Sequence, residues 1–299
     1  MSFGNIFNIH VGVDKASTSY LDYLIENFKH TAHDASRLIF YCYAIDEEAF
    51  DFFENDNRFL GCYTVHKMQG SYRLKSWQDF KVYLKAKVTQ RSQLGGSNGH
   101  AAALNAMTKN FKSLKGHNII ADSDVAMLIH GWDLITEKHL KKYHLFGTSY
   151  ENIGGFSSGH SKVQTYKNFP NANWLAISSE CDFQNFDWMP KKEKNIKISD
   201  VKKSKIYGLP MGYEMVCDGG WALPSYCDNL GYSSKALLHV KPSDSNVQVL
   251  KTKNDYNEEY QLDGRAFVGH QRGGSRHLFR QSKVSVEFYN KVEDAVGTP

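Results

Sequence analysis

An α/β fold built on a mainly parallel central sheet with flanking helices is the class this sequence predicts, on three observations. Short apolar runs suited to buried strands alternate with segments of helical period. The runs ending near residues 13, 45 and 121 each stop at an aspartate. A glycine-rich stretch, Gly95 to Gly99, opens the helix that leads into the last of them. Strand and helix in alternation imply a Rossmann-like sheet, and ligands of such sheets gather at the carboxyl ends of the strands.

The first run, Ile6 to Val13, is rich in β-branched and apolar residues, and Ser17 and Thr18 follow it as caps for a helix. Tyr20, Leu21, Leu24, Ile25 and Phe28 share one face of that helix. Leu38 to Ile45 is a near-continuous apolar strand that stops at Asp46-Glu47-Glu48, and Phe59 to Met68 reads as another after a short helix. Trp77, Phe80, Leu84 and Val88 suggest a helix between Ser76 and Gln90. A second, over Ala101 to Phe111, precedes the buried strand Asn118 to Ala121. A helix through Trp132 and Ile135 and a strand near Leu145 to Thr148 complete this half.

From Gly154 to Pro170 the composition shifts to Gly, Ser, Asn, His and Tyr, a loop-like stretch of the kind that carries specificity on a rigid scaffold. A strand at Trp174 to Ile177, a solvated lysine-rich loop at Lys191 to Lys205 and a helix through Trp221 and Tyr226 are expected next. A strand at Ala236 to Val240, a polar linker near Asn254 and a basic segment, His270 to Arg280, finish the chain. The expectation is two halves, 1–150 and 151–299, of one domain.

The 299 residues are 41% apolar and 23% charged, ordinary for a folded chain with a substantial core. A net charge of +4 favours an anionic ligand without reaching a nucleic-acid footprint. Cys42, Cys62, Cys181, Cys217 and Cys227 contain no C-x-x-C pair for zinc and fit reduced thiols. The amino terminus has no signal-like segment, and no run approaches the ~20 apolar residues that span a bilayer. A cytoplasmic protein with at most peripheral membrane contact is expected.

Asp14, Asp46, Asp122 and Asp124 all follow apolar strands, so a parallel sheet would align them on one rim. A lone acid there is ordinarily a turn or helix cap, but the Asp122-Ser123-Asp124 pair is a partial cage for Mg2+ or Mn2+. These ions take one or two carboxylates and fill the remaining positions with substrate phosphates. Alternate residues of a strand point oppositely, so the pair must leave strand geometry to share an ion.

The run Asn98-Gly99-His100-Ala101-Ala102-Ala103-Leu104-Asn105, followed by Ile119-Ile120-Ala121-Asp122-Ser123-Asp124, resembles family 2 glycosyltransferases, of the GT-A fold and the nucleotide-diphospho-sugar transferase superfamily. Gly99, Ala103 and Asn105 fit that family's helix-opening pattern, and Asp122 and Asp124 its metal-binding pair. Cys217-Asp218-Gly219-Gly220-Trp221 is similar to its acid before Gly-Trp, the base for the acceptor hydroxyl. His270-Gln271-Arg272-Gly273-Gly274-Ser275-Arg276 is similar to a His followed by Gly-Ser-Arg that completes the metal and phosphate site. The family's usual Asp-Asp-Gly-Ser is Asp46-Glu47-Glu48-Ala49 here, so Asp46 alone carries over.

The resemblance implies a metal-dependent, inverting glycosyltransferase that takes a nucleoside-diphosphate sugar to a glycan, a protein or hydroxymethylated DNA. Residues 1–150 would bind the donor, and 151–299 would supply the acceptor side and the base. Asp218 is the expected base, with an N-cap of a Gly219 to Leu230 helix as its structural alternative. Asp122, Asp124 and His270 would hold Mn2+ or Mg2+. Asp14, Asp46, Gly99, His100, Asn105, Ser123 and Arg276 would bind the donor, with His100 open also to a helix-start role. Trp174 and Trp221 are candidates for stacking on sugar, with core packing the preferred reading of each. Two other classes are expected to be separable by assay: a nucleotidyltransferase, though Gly12-Val13-Asp14-Lys15 is poor in glycine, and a non-catalytic carbohydrate or nucleic-acid binding module.

Overall fold

A computed structural model describes residues 4–14, 18–65, 97–149, 155–157, 160–162, 169–189, 191–193, 215–217, 220, 222–240, 249–250, 257–271 and 281–297. The predicted helix between Ser76 and Gln90 lies outside these residues. In chain order the elements are β1 (Phe7–Val13), α1 (Thr18–Thr31), β2 (Leu38–Ala44), α2 (Glu47–Phe53), β3 (Phe59–Thr64), α3 (Ser97–Asn110), β4 (His117–Asp122) and β5 (Val125–Met127). They continue with α4 (Trp132–Leu140), β6 (Leu145–Ser149), β7 (Gly155–Ser157), β8 (His160–Lys162), β9 (Pro170–Ile177), β10 (Lys191–Glu193) and β11 (Met215–Cys217). Last come α5 (Leu223–Leu230), β12 (Ser234–Ala236), β13 (Leu238–Val240), β14 (Asn257–Leu262), β15 (Arg265–Gln271) and α6 (Gln281–Val296).

Seven strands form the main sheet in the order β12-β6-β9-β4-β1-β2-β3. Strands β1 to β4 run parallel, as the alternation of strand and helix predicts. β9 enters antiparallel between β4 and β6. It returns beside β6 with no crossover helix among the described residues, the route by which an antiparallel strand joins a parallel sheet.

The pleat sorts the core. Phe7, Ile9, Val11 and Val13 point to one face, where Leu21, Leu24, Ile25 and Phe28 of α1, Phe53 of α2 and Trp132 of α4 cover them. The other face carries Tyr43, Ile120 and Leu175 beneath α3 and α5. His10 lies on this second face, fully buried, with Nδ1 3.1 Å from the Tyr43 hydroxyl and Nε2 3.0 Å from Asn118 Oδ1.

A second, antiparallel sheet has the order β13-β14-β15-β5 and packs Tyr260, Phe267 and Val268 onto the first core. The whole is a mixed, mainly parallel sheet flanked by helices, with a separate antiparallel sheet drawn mostly from the carboxyl-terminal part, consistent with a Rossmann-like arrangement of the GT-A type. Four short strands, β10-β11-β8-β7, make a third sheet.

Several local expectations change. The helix expected over Ala101 to Phe111 begins earlier, at Ser97, and short strands interrupt the Gly154 to Pro170 and Lys191 to Lys205 stretches. The predicted strand at Ala236 to Val240 is two strands in different sheets, split at buried Leu237, whose N–H donates to Gly147 O. The hairpin β14–β15 and the helix α6 were not foreseen. The hairpin's own signal is Asp263-Gly264, both at positive φ (49° and 79°), the turn that joins tightly twisted strands. Among the described residues no helix is long and apolar enough to cross a membrane.

Candidate metal centre

Asp122 is the last residue of β4, and Ser123 and Asp124 form a turn into β5, so the chain passes from one sheet to the other between the two aspartates. This turn is the departure from strand geometry that the pair requires. It is pinned by the Gln271 N–H, which donates to Asp124 O at 3.0 Å. The register of β15 against β5 sets His270 opposite Val125, beside the turn. His270 Nε2 consequently lies 3.3 Å from Asp124 Oδ1 and 3.7 Å from Asp122 Oδ2. His100, in the first turn of α3, places Nδ1 3.3 Å from the other oxygen of Asp122.

Behind His270 is a polar layer from three strands. Glu258 Oε2 of β14 accepts from His270 Nδ1 at 2.8 Å and from the Tyr260 hydroxyl at 2.9 Å. Asn173 Nδ2 of β9 is 3.4 Å from both the Tyr260 hydroxyl and His270 Nδ1. His239 Nε2 of β13 is 3.8 Å from the second Glu258 oxygen. Glu258, Asn173 and Tyr260 went unseen in the sequence because nothing local marks a residue whose role is to face a distant histidine.

The electrostatics are those of crowded carboxylates. Burial raises the Asp122 carboxyl above its ordinary range, opposed by His100 and His270 and reinforced by Asp124. Burial alone would depress the His270 imidazole, but the Asp124 charge, with hydrogen bonds to Asp124 and Glu258, raises it well above 6.5.

The donor set fits a divalent cation. One donor atom from each of Asp122, Asp124 and His270 lies within 4.8 Å of the others, and among the described residues this is the one such group. An ion about 2.1 Å from each donor places them about 3–4 Å apart, a small inward adjustment. Two carboxylates and an imidazole leave positions for phosphate oxygens or water, a donor set suited to Mn2+ or Mg2+.

The other predicted residues divide. Gly99 is buried in the first turn of α3, and Ser123 lies in the turn between the aspartates, 8% exposed. Asp14 is half-buried just beyond β1. Asp46 accepts from the Ala49 N–H at 2.8 Å and caps α2, the ordinary role of an acid after a strand. Asn105 tethers a loop, accepting from the Trp188 N–H at 2.9 Å and donating to Asp187 at 3.0 Å. Trp174 packs as the core reading has it. It is fully buried, with Phe146 and Phe267 each 5.6 Å away at steep angles, so no ring face is open to a sugar. Asp218, Trp221 and Arg276 lie outside the described residues. The helix expected over Gly219 to Leu230 begins at Leu223, with Ala222 at its N-cap.

No protein-family model matches the sequence, and no curated protein matches it either. Among solved structures the chain is similar to the glycosyltransferase GlyE of Streptococcus pneumoniae TIGR4, with 13% identity and a TM-score of 0.35, over 83% of this chain and 48% of that one. It is also similar to mouse xyloside xylosyltransferase 1 in its apo form, with 8% identity and a TM-score of 0.31, over 60% of this chain and 69% of that one. This chain therefore spans about half the length of the first. Likeness at this level carries no weight for family or reaction, and the functional reading rests on the metal centre itself.

Proposed function

We propose that this chain is a divalent-metal-dependent glycosyltransferase, inverting at the anomeric carbon, that moves a sugar from a nucleoside diphosphate to an acceptor hydroxyl. The observation that carries the reading is the meeting of Asp122, Asp124 and His270 at the carboxyl rim of the main sheet. Mn2+ or Mg2+ held there would act as a Lewis acid on the leaving diphosphate, an effect worth on the order of several kcal/mol. His100, at the start of α3 and 3.3 Å from Asp122, is assigned as a donor to a phosphate oxygen. Asp14, Gly99 and Ser123 belong to the donor side of this reading, together with Arg276. Asp218 is assigned as the base that takes the proton of the acceptor hydroxyl, with Trp221 beside it in sequence. Residues 1–150 then serve the donor and 151–299 the acceptor, which is a glycan, a protein or hydroxymethylated DNA.

The test is incubation with a panel of nucleotide sugars and Mn2+. Nucleoside diphosphate should be released slowly by hydrolysis and faster with acceptor, and Asp124→Ala should abolish it. If no donor is consumed and metal makes no difference, the reading fails. Pyrophosphate released from a nucleoside triphosphate would mark nucleotidyl transfer instead.

A further inference from the structure

We propose that Glu258 is a positioning residue that makes His270 a metal ligand, an inference that rests on the metal centre proposed above. An imidazole has two nitrogens, and only one faces the aspartates. His270 Nε2 points to Asp122 and Asp124, while Nδ1 lies 2.8 Å from Glu258 Oε2. A carboxylate can only accept, so Nδ1 keeps its proton against Glu258, and Nε2 is the nitrogen that would give up its own and present a lone pair to a bound cation.

Asn173 Nδ2 competes for the same nitrogen and would favour the opposite tautomer. Its contact is longer, 3.4 Å, and lacks the charge of Glu258, so the carboxylate decides, and the Asn173 amide is left for the Tyr260 hydroxyl at 3.4 Å. Glu258 is itself held. The Tyr260 hydroxyl donates to the same oxygen that receives Nδ1–H, and the β14–β15 register sets Glu258 directly across from His270. The side chain is only 15% exposed, so little water stands in for it. Outer partners of this kind orient a ligand and raise its basicity, and their loss typically weakens metal binding 10–100-fold.

The experiment is Mn2+ titration of the full chain, followed by the electron paramagnetic resonance signal of free Mn2+, without substrate or turnover. Glu258→Ala should bind Mn2+ at least tenfold more weakly than the wild type. Glu258→Gln, whose carbonyl oxygen still accepts from Nδ1–H and whose size guards the fold, should fall between the two. In a His270→Ala background neither substitution should weaken binding further, because Glu258 acts only through the imidazole. Wild-type affinity in both Glu258 variants, or the same loss with and without His270, overturns the proposal and leaves the metal centre standing. A wild type that binds no Mn2+ removes both together.

Discussion

Gly12 of β1 lies against Ala103 of α3 so closely that a Cβ at Gly12 would sit 3.2 Å from the Ala103 Cβ and 3.4 Å from Met107 Cε. Gly12 is also the residue paired with Asp122 across β1 and β4. The approach of these two small residues therefore sets how near α3, and with it His100, comes to the metal centre.

Gly12→Val should force α3 outward. Overpacking of this kind costs about 1–3 kcal/mol, and Gly12→Ala, needing only a few tenths of an ångström, should cost less. The midpoint of urea unfolding reads the stability, and Mn2+ titration reads the centre. A valine variant as stable as the wild type would show that the helix can yield freely.

His10 gives the protein a buried acid sensitivity away from the metal centre. Burial lowers its imidazole to about 3, opposed by the hydrogen bond to Asn118, so the folded chain keeps it neutral. Unfolded, the same ring takes up its proton near pH 6.5. Between those values the unfolded state binds more protons, so the contribution is complete above pH 6.5 and is lost as pH falls toward 3. The slope is at most about 1.4 kcal/mol per pH unit for one proton. His10→Leu should be less stable at pH 7, since Tyr43 and Asn118 lose their partner, yet its stability should fall less steeply with acid. Denaturant unfolding at a series of pH values compares the two, and equal slopes would contradict the assignment.

What the sequence disclosed follows from the range of each signal. The acids after β1, β2 and β4 were legible because an apolar run and its end are local, and the metal pair because Asp-x-Asp at the end of a buried strand is a local motif. The direction of β9 was not, since strand direction depends on how the chain returns between elements. Trp174 was read as core or sugar contact because sequence does not say which side of a strand looks onto Phe146 and Phe267. Glu258 is twelve residues from His270 in sequence, and only the turn at Asp263-Gly264 brings them across from one another. That turn could have been recognised, and the hairpin with it.

At the opposite edge of the parallel strands from the metal centre, Asp133 should matter for stability and not for binding. It is fully buried, accepting from the His33 N–H at 2.7 Å, the Asp34 N–H at 3.3 Å and Arg37 Nη1 at 3.4 Å. Arg37 also bonds to Glu137 and Asn5 O and lies 5.3 Å from the Phe7 ring. Asp133→Ala leaves two backbone donors and part of a guanidinium unmatched, a loss of about 3 kcal/mol. Calorimetry should show the lowered transition, while Mn2+ affinity at a temperature where the variant is folded stays within twofold. A large change in that affinity would mean the two ends of the sheet are coupled.

Trp174→Phe distinguishes a core indole from a sugar platform. Among the described residues the Trp174 Nε1–H has no hydrogen-bond partner, although it is buried. Phenylalanine removes that unmatched donor, which offsets part of the cavity left by the lost ring, so the net change should stay within about 1 kcal/mol. Because Phe146 and Phe267 enclose the ring, KM for the sugar donor should not move. A KM raised tenfold at unchanged stability would place the indole against substrate and contradict the packing, whereas unchanged KM with a small shift in Tm is what an enclosed ring requires.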